Sequence, residues 1–179
     1  MRMFRRLLMA ALLAAALPAV AATLPNQPVP SLDINRYAGQ WHEIARLPMY
    51  FERKCLDAVV ATYTPNPDGT VHIHNTCRTG KGRMSVDGVA RMKESQPAAL
   101  EVRFVPAWLT WLPMAWADYW VIEVDADYQW AVIGSPGRKH LWILSRRPSM
   151  DRALFQTLKE HSRQRGYPVD QLMMIAPLD

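Results

Sequence analysis

Only two cysteines occur in the 179 residues, and no Cys-x-x-Cys or His-x-x-x-His pair is present, so the usual frames for a structural or catalytic zinc are missing. Glycine-rich phosphate loops are absent too, and no Ser/His/Asp arrangement stands out. Nucleotide-cradling and triad chemistry therefore have no motif to rest on. The most apolar internal stretch, WLTWLPMAW at 108–116, falls well short of the roughly 20 residues a membrane-spanning helix needs, and Pro113 interrupts it. The chain is expected to have no catalytic residues, no metal and no cofactor.

Positive charge is also scarcer than the formal +5 suggests. The segment MRMFRRLLMAALLAAALPAVAA places Arg2, Arg5 and Arg6 before an apolar run and ends in the small-x-small pattern Ala19-Val20-Ala21, which reads as a secretory signal over 1–21. Its three arginines are its only charged residues, so the mature charge falls to about +2. Nucleic-acid binding thereby loses its electrostatic footprint. A Pro-rich entry at 22–30 follows, and residues 31–179 suit a single domain with one core. No cysteine stands near the cleavage site, so the mature form is expected to be periplasmic or secreted and not a lipoprotein.

What is present is a succession of short strands. DAVVATYT at 57–64, PNPDG at 65–69 and TVHIHNTC at 70–77 read as a hairpin folded near residue 67. That fold brings Cys55 and Cys77 within about one residue of facing each other, so an exported chain should join them. A nucleophilic cysteine or a metal thiolate is the lesser alternative. Further strands are expected at about 39–46, 83–93, 99–105, 118–125, 129–134 and 139–146, separated by RTGKG, SQP, the tryptophan segment, DAD and SPGRK. One helix is expected in SMDRALFQTLKEHSRQRG, with Ser149 as N-cap, Asp151 in the first turn, Gly166 as its C-terminal stop, and an apolar stripe of Leu154, Phe155, Leu158 and His161. A last strand is expected at about 171–176. The pattern is all-β, a sandwich or barrel with a helix packed outside.

The segment at 108–116 is read as a loop. Three exposed tryptophans would present roughly 450–750 Å² of apolar surface, more than an isolated domain usually shows, so the loop must be covered or must bind something.

YAGQWHEIAR at 37–46 carries a Gly-x-Trp, and LWILSRRP at 141–148 carries an arginine after the last long strand. In these features, in DYWVIEVD and in the late helix, residues 31–176 resemble the lipocalins, above all the bacterial and plant temperature-induced lipocalins and apolipoprotein D. Val124-Asp125-Ala126 departs from the Thr-Asp-Tyr of many relatives. The resemblance implies an eight-stranded antiparallel up-and-down barrel, open at one end, with Gly39, Trp41 and Arg146 in structural roles and the Arg146 guanidinium across the Trp41 ring. It also implies a small apolar or amphipathic ligand, a fatty acid or lysophospholipid held for envelope storage or transport, in a monomer or dimer.

Within such a barrel, strand parity proposes a lining of Trp41, Glu43 and Ala45; Leu100, Val102 and Phe104; and Tyr119, Val121 and Glu123, with Gly88 and Ala90 leaving space. The buried carboxylates of Glu43 and Glu123 are expected to be hydrogen-bonded. The loops at 47–55, 78–82, 106–117 and 134–139 share the open rim. Ligand contact is expected from Trp108, Leu109, Trp111, Leu112, Met114 and Trp116 with Val102, Phe104, Tyr119 and Val121, and residues 106–117 offer a transient membrane contact. A competing expectation is an enzyme, or a metal or haem binder, using His72 and His74, which share one strand face.

Overall fold

The computed structural model describes residues 23–93, 95–104 and 116–179. The expected signal and residues 105–115 of the tryptophan loop, with Trp108, Leu109, Trp111, Leu112 and Met114, lie outside the described residues.

Eight strands run in order: β1 (Gly39–Arg46), β2 (Asp57–Pro65), β3 (Val71–Thr79), β4 (Gly82–Lys93), β5 (Gln96–Arg103), β6 (Ala117–Val124), β7 (Trp130–Gly134) and β8 (Trp142–Ser145). Each pairs antiparallel with its successor, and β1 also pairs with both β2 and β8, so the sheet closes on itself as an up-and-down barrel. Closure leaves no unpaired edge within the ring. A two-residue strand, β9 (Met173–Met174), adds to β1 from outside. The connections after β1, β3, β5 and β7 therefore share one end, the open rim.

The β2–β3 hairpin turns at Asn66–Thr70, where Asp68 accepts from the Thr70 amide at 2.9 Å and Gly69 takes φ +82°, a left-handed conformation suited to glycine. Pro65 faces Val71 across the turn. The pairing slips between Asp57 and Val60, and Cys55, just ahead of β2, is joined to Cys77 on β3 with Cα atoms 5.5 Å apart.

A short helix that sequence reading missed, α1 (Ile34–Tyr37), closes the other end. Asp33 caps it by accepting from the amides of Asn35 and Arg36 at 3.0 and 3.3 Å. Outside the barrel lies α2 (Arg152–Gln164), capped by Asp151, whose carboxylate accepts from the Leu154 amide at 2.8 Å. This replaces the expected Ser149 cap: the Ser149 hydroxyl donates to Asp179 instead. Gly166 ends the helix with φ +88° as expected.

Two cores result. One fills the lower barrel around Tyr37, Trp41, Ile73, Leu100, Val121 and Ile133. The other lies between the wall residues Ile44, Ala45, Ile122, Val132 and Ile143 and the helix residues Phe155 and Leu158. Bulges assign residues between them. The β1–β8 register slips between Glu43 and Ala45, turning Ala45 outward into the second core and Arg46 into burial. The β6–β7 register slips between Val121 and Glu123, so Glu123 faces out, bonded to His161 at 2.9 Å and Arg165 at 2.7 Å, while Val124 packs on the inner core. Ala45 and Glu123 are thus not lining residues. One extra residue in a strand reverses the parity of everything beyond it.

Candidate ligand cavity

Above the inner core the barrel opens into a cavity of about 540 Å³, a size suited to one small ligand. Trp41, Tyr63, Ile73, Val102, Tyr119 and Leu144 form its lower wall, and Phe51, Met84, Val86, Phe104, Trp142 and the Cys55–Cys77 bridge its upper one. Val102, Phe104 and Tyr119 are therefore placed as parity proposed. Leu100, Ala90 and Val121 are buried in the packed core and do not line the cavity. A Cβ on Gly88 would stand 2.5 Å from the Phe104 ring and 2.8 Å from the Arg103 carbonyl oxygen, so the space that glycine leaves is taken by Phe104.

The base is stiffened by polar contacts. Tyr37, Tyr63 and Tyr119, from α1, β2 and β6, meet through their hydroxyls at 2.7 and 2.9 Å. Burial raises the pKa of all three phenols, keeping them neutral. Trp41 is fully buried, and its indole N–H donates to the Tyr37 carbonyl at 2.8 Å. Arg146 lies over the Trp41 ring at 3.9 Å and donates to the carbonyls of Arg36, Tyr37, Gln40 and Tyr128. Gly39, at φ +93°, lets β1 begin beneath that guanidinium: a Cβ there would stand 3.4 Å from Nη1. Gly39, Trp41 and Arg146, expected in structural roles, thus meet at the closed end of the barrel.

Glu43 lines the cavity and is hydrogen-bonded, as sequence reading expected, but its partner Arg46 and the second acid Glu52 were missed. Glu43 and Glu52 line the cavity, and the buried Arg46 lies between them. Its Nη1 donates to Glu43 at 2.6 Å, its Nε stands 3.3 Å from the Glu52 carboxylate, and its Nη2 donates to the carbonyls of Glu52 and Cys55. Burial, and then the charge of Glu52, raise the Glu43 pKa to about 8 despite Arg46, and burial raises that of Glu52. The Trp142 indole N–H also donates to Glu52, at 3.3 Å. The one available signal was the sequence position of Glu52 in the rim loop after β1.

At the mouth, Tyr50, Phe51 and Leu56 are 78%, 60% and 54% exposed. Trp116 belongs elsewhere: its ring is stacked by Arg91 at 4.1 Å and Arg103 at 4.4 Å, on strand positions that alternate with the inward Ala90 and Val102. It is not among the lining residues, and the two guanidinium groups hold it by cation–π contacts. His72 and His74 are also outside, both bonded to Asp87 Oδ1 at 3.1 and 2.8 Å. Among the described residues no group of three or more His, Cys, Asp or Glu side chains is arranged to hold a metal.

Comparisons with known proteins agree with this architecture. The lipocalin-like domain family matches residues 32–177. Temperature-induced lipocalin-1 of Arabidopsis thaliana is 41% identical over 147 residues, spanning 80% of this chain and 78% of that protein. Outer membrane lipoprotein Blc of Citrobacter freundii is 32% identical, spanning 90% of this chain and 91% of its own length. Among solved structures, insecticyanin of the tobacco hornworm Manduca sexta superposes with a TM-score of 0.66 at 17% identity, over 83% of this chain and 82% of that one, a likeness of fold.

Proposed function

The chain belongs to the lipocalin family, and on that premise we propose that it takes a single-chain lipid, a fatty acid or lysophospholipid, into the barrel cavity and carries it in the cell envelope without altering it chemically. The observation that carries this reading is the cavity itself, about 540 Å³ walled mainly by aromatic and aliphatic side chains beneath an apolar mouth. Moving an alkyl chain from water into such a space is favourable by about 0.8 kcal/mol per methylene.

The N-terminal segment supports export, as does a disulfide, which persists in oxidising compartments. Both cysteines of the chain are in that bridge. Neither is free for lipid attachment, which supports a periplasmic or secreted form, in contrast to the lipoprotein named for the Citrobacter relative. In this reading Trp108 and Trp111, with Leu109, Leu112 and Met114, extend the apolar rim and either cover the ligand or touch a membrane during transfer.

The test is native mass spectrometry of protein purified from its exported form, beside titration with a fluorescent single-chain lipid. A bound lipid lost on delipidation, with saturable one-to-one rebinding, is the expected result. Replacing Trp108 and Trp111 by serine should weaken uptake of monomeric lipid if the loop covers the cavity, or slow only vesicle transfer if it touches membrane. A delipidated protein that takes up no single-chain lipid would refute the proposal.

A further inference from the structure

The cavity wall is short of one positive charge. Glu43 and Glu52 both line it, and among the described residues Arg46 is their only buried cationic partner. Arg46 is already engaged: its Nη1 donates to Glu43, its Nη2 to two carbonyls, and its Nε stands 3.3 Å from the Glu52 carboxylate without a hydrogen bond. Among the described residues no lysine or arginine lines the cavity, and the acid at the mouth, Asp118, is paired with Lys93 at 3.5 Å. His140, also at the mouth, has its pKa lowered by burial and by Lys139, so it supplies little charge at neutral pH. A buried acceptor adds to the pattern: Asn75 lines the same cavity, and its Oδ1 has no hydrogen-bond partner.

An unpaired buried carboxylate is costly, and the protein alone relieves it by holding a proton, which is the direction in which Glu43 is shifted. A ligand can relieve it differently. Resting on the lipid-carrier reading above, we propose that the ligand bears a cationic head, an ammonium group, which enters the cavity and accepts the Glu43 and Glu52 carboxylates as its counter-charge. A lysophospholipid with an amine-bearing head meets this requirement. The carboxylate of a free fatty acid does not, since it would be a third acid beside one committed guanidinium, without a cation to pair with. Specificity then comes from repulsion as much as attraction, while the alkyl chain supplies most of the affinity.

The test uses three probes of equal chain length, a ten-carbon primary amine, alcohol and carboxylate. Each is titrated at pH 7 as monomer against delipidated wild-type protein by calorimetry, with displacement of a fluorescent lipid as a second readout. The expected order is amine, then alcohol, then carboxylate, with at least about tenfold between the first and last, a free-energy difference of about 1.4 kcal/mol. Glu43→Gln keeps a hydrogen-bonding group against Arg46 while removing the excess acid, and should reduce the amine preference severalfold and raise carboxylate affinity. A carboxylate or alcohol that binds wild type as tightly as the amine overturns the inference while leaving the lipid-carrier reading intact. If none of the three binds and the fluorescent lipid is not taken up, both fall. The wild-type series decides the question even if Glu43→Gln does not fold.

Discussion

Removing Trp41 should cost the barrel a large part of its stability, and part of that cost should belong jointly to Arg146. The indole is fully buried at the base of the barrel, tilted against Tyr37 with ring centroids 5.0 Å apart, and it donates to the Tyr37 carbonyl. Truncation of a buried tryptophan to alanine typically costs about 3–5 kcal/mol, against a total stability of about 5–15 kcal/mol for a domain. Arg146→Met keeps an unbranched apolar stem but removes the donors to the four carbonyls, where water can substitute in part, so a loss of about 2–3 kcal/mol is expected. At 3.9 Å the guanidinium–indole contact should add a coupling of about 1 kcal/mol, within the range for partly desolvated cation–π pairs. A double-mutant cycle by urea denaturation, with Trp41→Ala, Arg146→Met and the combination, measures each quantity. The double variant should be less destabilised than the sum of the singles by that coupling. A Trp41→Ala loss below about 1 kcal/mol, or strictly additive singles, would show that these residues are not the closure of the barrel.

The Cys55–Cys77 bridge should appear as an intact mass two hydrogens below that of the reduced chain, and reduction should lower stability by roughly 3 kcal/mol in the chain-entropy model. Two thiols alkylated without reductant would contradict it. Glu43 carries a pH signature. Because burial, then Glu52, lift its folded pKa to about 8, above an unfolded value near 4.3, its contribution is fully present below about pH 4.3 and is lost as pH rises through 8. His42 and His140, held below their usual pKa chiefly by burial, act oppositely, favouring the fold above about pH 6.5 and losing that contribution as pH falls. The informative quantity is therefore wild type minus Glu43→Gln, whose unfolding free-energy difference should fall between pH 5 and 9. A flat difference across that window would mean that Glu43 is not desolvated.

Strand number and the hairpin were legible in the sequence because they rest on local signals, period-two alternation and turn residues, whereas the up-and-down strand order came from the family resemblance. The Gly39, Trp41 and Arg146 assignments came from the family resemblance, and in the structure the Arg146 guanidinium lies over the Trp41 ring. Faces were legible only until the first bulge. Alternation predicted Val102, Phe104 and Tyr119 correctly, then failed at Ala45 and Glu123, because an extra residue in a strand is a property of pairing with a neighbour and leaves no mark on one strand's own pattern. Trp116 looked like ligand surface until two arginines from β4 and β5 stacked on it. The Glu43–Arg46–Glu52 group needed more still. It joins strand residues three apart, which simple alternation puts on opposite faces, to a rim-loop carboxylate, and only the bulge in β1 turns Arg46 inward between the two acids. The sequence by itself determined that the chain makes an antiparallel all-β domain, and the resemblance it carries made that domain a closed barrel. Closure of the sheet, with its two slips in register, decided which charges face the space inside.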